Sequence, residues 1–193
     1  MPEPAPVDLR RLALQTVIAT VALVLVFGLA TLLAREQILG ASQAFVAVLG
    51  GPGIWIGWLV SDAIPFPIIP DAFSAAGLLG GMSFPVVAAW ACTGSLSGGL
   101  CGYALGRRLR GTERYRRVLA RTGVDIEGFV QKHGPAALAV AALTPLPYSA
   151  ASWVCGAGRV ALPTFVAVSL LRVVRVGGYL WLMQAGVVAL TPG

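Results

Sequence analysis

The chain has 193 residues, 57% of them hydrophobic and 11% charged, and its 14 basic and 8 acidic side chains give a formal net charge of +6. A soluble domain carries about 25% charged residues, and a chain this short cannot hide so much apolar surface, because small folds leave a large fraction of their surface exposed. The composition excludes a soluble globular protein and predicts an integral membrane protein, whose basic excess sets orientation rather than binding nucleic acid.

Leu12 to Ala34 carries no charge and lies between Arg10–Arg11 and Arg35–Glu36. It rises about 35 Å, more than the roughly 30 Å hydrocarbon core, and it lacks the short apolar region and small-x-small exit of a cleaved signal peptide. The expectation is a retained transmembrane helix, making residues 1–36 an N-terminal unit with a cytoplasmic leader. Residues 37–193 then form the main membrane domain.

From Gln37 to Gly106 the only charged side chains are Asp62 and Asp71. Gly50-Gly51-Pro52-Gly53 is expected to break any helix, and Ile64-Pro65-Phe66-Pro67-Ile68-Ile69-Pro70 then loses three backbone donors in quick succession. Irregular backbone is not tolerated facing lipid, so residues of about 50–80 should form a re-entrant helical hairpin that dips into the membrane and lines a protein cavity. A full span of about 83–106 follows. Its small residues Gly94, Ser95, Ser97, Gly98, Gly99 and Gly102 permit close helix contact.

Residues 107–133 are expected to lie at the surface. Seven arginines and one glutamate fall between Arg107 and Arg121. Tyr115, Val118, Leu119 and Thr122 recur at helical spacing while Arg114, Arg117 and Arg121 form a stripe of their own, which reads as an interfacial amphipathic helix ended by Gly123. Asp125 would cap a second short turn carrying Ile126, Phe129 and Val130. The positive-inside rule places this segment in the cytoplasm, with Arg107, the other arginines and Lys132 marking that face.

A second apolar stretch, about 134–159, is interrupted at Thr144-Pro145-Leu146-Pro147-Tyr148, repeating the Pro-x-Pro of Pro65 and Pro67 eighty residues later. Two interrupted apolar segments in corresponding positions point to a transporter site built from broken helices. The first hairpin would enter from outside and the second, flanked by Lys132 and Arg159, from the cytoplasm. A final span of about 160–190 starts near Pro163 and places Arg172 about 14 Å further along, near the bilayer centre, with Arg175 on the same helical face.

The ionisable set within the hydrocarbon zone is therefore Asp62, Asp71, Arg172 and Arg175. A mid-bilayer charge costs about 2.5–3.5 kcal/mol on insertion scales, so these groups need partners or a polar cavity. One reading is a fixed ion-pair network that pins the first hairpin. The other is a binding site for a charged headgroup or a proton, since arginine forks suit phosphate and carboxylates suit amines and protons. Cys92, Cys101 and Cys155 lack metal-ligand spacing and read as packed hydrophobes, His133 as a loop residue, and the five tryptophans as anchors or packing groups. No metal and no cofactor is expected.

In order and spacing, Asp62-x2-Pro65-x-Pro67-x2-Pro70-Asp71, then Gly94-Ser95-x3-Gly99-x3-Tyr103-x2-Gly106-Arg107, then Thr144-Pro145-Leu146-Pro147 and Gly156-x-Gly158, resemble the DedA/VTT superfamily of SNARE-associated Golgi proteins over roughly residues 50–180. Leu171-Arg172-x2-Arg175 resembles a paired-arginine segment of its YqaA-like branch. The resemblance implies an all-α polytopic protein of the cell (inner) membrane, with two opposed re-entrant hairpins, that moves a phospholipid or lipid-linked phosphate between leaflets with possible coupling to protons. It further implies that Asp62 and Asp71 correspond to the family's acidic pair. Thr144 and Tyr148 stand where better-known bacterial members carry arginines, which leaves Arg172 and Arg175 as the candidate anion-binding groups.

The expected partners are membrane lipids and protons, with self-association left open and no nucleic acid. A membrane-embedded enzyme acting on lipid phosphates would call for a denser catalytic constellation than two aspartates nine residues apart, so no enzymatic activity is expected. A structural or assembly factor would instead tolerate neutral replacement of the whole Asp/Arg set.

Overall fold

The computed structural model describes residues 35–65, 69–121, 126–144 and 146–190, with scattered positions between 14 and 26. Among the latter, Leu14, Val17, Ile18, Val21, Ala22, Leu25 and Val26 are helical and exposed; the rest of the expected span Leu12–Ala34 lies outside the described residues, as do Pro67, Gly123, Asp125 and Pro145. All regular structure among the described residues is helical.

From residue 35 onward the described residues form these helices in order: α1 Arg35–Val48, α2 Gly50–Ala63, α3 Asp71–Leu79, α4 Phe84–Leu109, α5 Glu113–Ala120, α6 Ile126–His133, α7 Pro135–Leu143, α8 Tyr148–Ala157, α9 Leu162–Ser169 and α10 Leu171–Leu190. Among the described residues two runs are long and apolar enough to cross a membrane, Phe84–Leu109 and Leu162–Ala185; α1 and α2 together would make a third, bent by 96°. That bend sits at Leu49–Gly50, where Gly50 takes φ +47. The helix break expected across Gly50–Gly53 is therefore confined to its first residue, because Pro52 falls in the first turn of α2, where its missing N–H costs nothing.

The central element is α4, gripped between α2 on one side and α8 on the other. Its small residues allow this. A Cβ on Gly94 would lie 2.6 Å from the Trp55 carbonyl and one on Gly98 2.6 Å from that of Leu59, so α2 seats directly on the α4 backbone. On the opposite side Gly106 meets the Trp153 backbone, and Gly156 of α8 meets the Tyr103 carbonyl. Small residues at helix interfaces act in this way in membranes, where close packing replaces the hydrophobic drive.

The two interrupted segments share one construction. α2 ends at Ile64 and α7 at Thr144, each an extended residue immediately before a proline, the conformation that the clash with a following proline ring favours. The second halves, α3 and α8, begin after Pro70 and Pro147 and end in the same way: Met82 N–H bonds Gly77 O and Gly81 N–H bonds Leu78 O, while Val160 N–H bonds Cys155 O and Arg159 N–H bonds Gly156 O. Both are Schellman endings. The left-handed position is held by Gly81 (φ +94) in one and by Arg159 (φ +57) in the other.

The arginine-rich stretch departs from expectation. Arg107 and Arg108 belong to the last turn of α4, Gly111 (φ +76) turns the chain, and only residues 113–120 form α5, capped by Thr112, whose hydroxyl accepts from Tyr115 N–H at 3.2 Å. The apolar face of α5 does not face lipid. Tyr115 is buried and stacks on Trp153 of α8 with ring centres 6.4 Å apart, and Val118 and Leu119 pack around them. Burial and the nearby Glu127 carboxylate raise the Tyr115 phenol above its ordinary pKa, so it packs as a neutral ring. His133 is the last residue of α6 rather than a loop residue, with its ring against Phe129. The last apolar run is divided at Leu170 into α9 and α10. Large apolar side chains remain exposed around the outside, including Ile56, Trp90, Val166, Val174 and Trp181, as a surface in contact with lipid requires.

Candidate functional site

The two helix breaks meet beside α4. Each half-helix ending in a break leaves unsatisfied carbonyl groups, and away from water these must find donors. The Ala63 carbonyl at the end of α2 accepts from Trp153 Nε1 of α8 at 2.8 Å. The Thr144 carbonyl at the end of α7 accepts from Arg175 Nη1 of α10 at 2.6 Å. Each break is thus closed by a side chain from elsewhere in the fold.

Between the breaks lies a cavity of about 300 Å³, lined by Asp62, Asp71, Arg172 and Arg175 together with Trp58, Tyr148 and Tyr179. All four intramembrane charges read from the sequence come to this one place, though not as equivalents. Asp62 and Arg172, only 4% and 6% exposed, form a salt bridge with Arg172 Nη2 at 2.6 Å from Asp62 Oδ1. Arg172 Nε also donates to Asp62 Oδ2 and to Ser95 Oγ, both at 3.3 Å, and Ser95 Oγ donates to Asp62 Oδ2 at 2.5 Å. The guanidinium lies 4.6 Å from the centre of the Tyr148 ring and 5.9 Å from that of Trp58, within cation–π range of both. This is a closed network joining α2, α4, α8 and α10.

Asp71 and Arg175 are the open pair. Asp71 stands in the first turn of α3, where a negative charge suits the helix dipole, and among the described residues no basic group forms a salt bridge with it. Arg175, three residues after Arg172, has no carboxylate partner among them either; its guanidinium faces the Tyr179 ring at 5.4 Å and binds the Thr144 carbonyl. The cavity also receives the start of α8 through Pro147, Tyr148 and Ser149, where no side chain caps the helix. Positive potential therefore gathers at Arg175 and the α8 N-terminus, and negative potential at Asp71.

The remaining candidate positions are structural in this geometry. Pro65 lies in the first break, Pro70 precedes α3 at the cavity wall, and Thr144 Oγ1 donates back to Val140 O at 2.7 Å. Gly94, Gly99 and Gly106 are contact points of α4, Gly99 lying against the Tyr148 ring. Tyr103 donates its hydroxyl to Val160 O at 2.6 Å, and Arg107 donates to that hydroxyl at 3.2 Å, so Tyr103 and Arg107 tether the chain just past the end of α8. Three participants were not among the candidate site residues read from the sequence. Ser95 is hidden among the small residues of α4, Trp58 reads as one of five tryptophans, and Ser74 is the buried hydroxyl that accepts from Trp58 Nε1 at 2.8 Å.

A family model for the VTT domain matches residues 69–185, from Ile69 in the first break into α10, while α2 and Asp62 lie ahead of it. No curated protein and no solved structure shows significant similarity. The match covers more than half of the chain and, together with the apolar helices, identifies it as a membrane protein belonging to the VTT-domain family, the DedA/VTT superfamily.

Proposed function

We propose that the protein is a lipid transporter or scramblase that passes the headgroup of a phospholipid or lipid-linked phosphate through the cavity between the two broken helices, without altering the lipid chemically. The observation that carries this reading is the split of the four charges that line one cavity into a closed pair, Asp62–Arg172, and an open pair, Asp71 and Arg175. In this reading the hairpins are re-entrant and opposed, the protein is a multi-pass protein of the cell membrane, and its paired arginines fit the YqaA-like branch. Arg175 and the uncapped start of α8 receive the phosphate, and Asp71 receives an amine or a proton. A cavity with one free pole of each sign favours a zwitterionic headgroup over a doubly charged anion. Arg172, already neutralised by Asp62, frames the site with the Trp58 and Tyr148 rings.

The test is dithionite quenching of acyl-labelled phosphatidylethanolamine in proteoliposomes, which reports exchange between leaflets while leaving the amine intact. The wild-type protein should accelerate exchange over empty vesicles, Asp71→Asn and Arg175→Gln should each slow it at least about tenfold, the loss of one charge-assisted contact, and Lys132→Gln should not change it. Wild-type exchange no faster than in empty vesicles would overturn the reading. If Asp71 carries a proton, an imposed pH gradient should alter the wild-type rate and leave that of Asp71→Asn unaltered.

A further inference from the structure

The arginine-rich surface is independent of the cavity. α4 has 26 residues and rises about 39 Å, so a helix that crosses the hydrocarbon core leaves it within its last turn, where Arg107 and Arg108 stand. α5 begins four residues after α4 ends and is therefore held in the headgroup layer. Its apolar residues are turned inward onto Trp153, which fixes the direction of the other face. Outward it shows Arg114, Arg116, Arg117 and Arg121, all exposed, with Arg108 and Arg110 beside them. The single acid of this stretch, Glu113, is taken by Arg116 at 2.8 Å. Among the described residues no carboxylate forms a salt bridge with Arg108, Arg110, Arg114, Arg117 or Arg121.

Several uncompensated guanidinium groups fixed at headgroup depth on a rigid, protein-docked helix match a layer of phosphate groups in both charge and position. The face offers no aromatic platform for bases, since Tyr115, the aromatic residue of α5, is buried. We propose that the outward face of α5, with Arg108 and Arg110, is a docking face for anionic lipid headgroups of the adjacent leaflet.

The experiment measures the melting temperature of the full chain in neutral detergent with added phosphatidylglycerol or phosphatidylcholine. Phosphatidylglycerol should raise the wild-type melting temperature several-fold more than phosphatidylcholine does, and added salt should shrink the difference. The triple variant R114Q/R117Q/R121Q should lose most of the preference, and R114K/R117K/R121K should keep it. Equal responses of the wild type to the two lipids overturn the proposal whether or not the glutamine variant folds, as does an undiminished preference in that variant. Stabilisation by glycerol phosphate or a short RNA that matches the effect of phosphatidylglycerol overturns the assignment to lipid.

Discussion

Asp62 and Arg172 lie 110 residues apart in the chain and form a buried salt bridge at 2.6 Å, completed by the Ser95 hydroxyl. Such a pair contributes little net stability compared with a well-packed apolar pair, but removing one partner strands the other charge and costs about 3–5 kcal/mol. Asp62→Asn should therefore destabilise the protein strongly, and Asp62→Asn combined with Arg172→Gln should recover part of the loss. Asp71→Asn removes a carboxylate that has no salt-bridge partner among the described residues and should leave stability unchanged or raised. Thermal unfolding of the three variants in detergent checks this; equal losses for Asp62→Asn and Asp71→Asn would show that the two acids do not differ as the geometry requires.

Trp153 joins three parts of the fold: its indole N–H closes the end of α2, its ring carries Tyr115, and its carbonyl lies against Gly106. Trp153→Phe keeps an aromatic ring but leaves the Ala63 carbonyl without its donor, at a cost of about 1–3 kcal/mol. Tyr115→Phe is the matching control, because the buried Tyr115 hydroxyl has no hydrogen-bond partner among the described residues, and its removal should be neutral or slightly stabilising. Chemical unfolding curves of both variants separate the two effects.

The breaks and the charges were legible in the sequence because each rests on a local physical rule. Past the first turn of a helix, a proline disfavours helical backbone in the residue before it, which fits the ends of α2 and α7 at Ile64 and Thr144, and a charge at membrane depth must be compensated wherever it lies. The pairing was not legible. Nothing local distinguishes Asp62 from Asp71 as the partner of Arg172; that choice follows from how α2 seats on Gly94 and Gly98 of α4, which brings Asp62 to Ser95. Likewise the spacing of Tyr115, Val118 and Leu119 shows that one face of α5 is covered but not by what. Lipid was the expectation and Trp153 is the finding, because the indole had to be somewhere near α2 for the Ala63 carbonyl to be satisfied.

The glycines of α4 and α8 differ from those of α10 in a way that mutation should expose. A methyl group at Gly106 or Gly156 would run into the backbone of the facing helix, which cannot yield as a side chain would. Gly178 has nothing within 4 Å. Gly106→Ala and Gly156→Ala should each cost about 1–3 kcal/mol or more through forced separation of α4 and α8, whereas Gly178→Ala should be neutral or mildly stabilising through helix propensity. Retention of folded protein on size-exclusion chromatography after stepwise heating gives the comparison. A Gly106→Ala protein as heat-resistant as Gly178→Ala would mean that α4 and α8 do not touch at that point.

Arg159 occupies the left-handed position of the Schellman ending of α8, where α3 has Gly81. A residue with a Cβ in that conformation costs roughly 1–2 kcal/mol that glycine does not incur, and the exposed Arg159 side chain makes no salt bridge among the described residues to offset it. Arg159→Gly should therefore stabilise the protein by about 1 kcal/mol after the loss of some unfolded-state restriction. Arg159→Ala separates backbone from charge: it removes the guanidinium, keeps the Cβ and should gain nothing. The reverse change at the ending of α3, Gly81→Ala, should cost about as much as Arg159→Gly gains. If Arg159→Ala stabilises as much as Arg159→Gly, the strain lies in the charge rather than in the left-handed turn, and the likeness between the endings of α3 and α8 would carry no energetic weight.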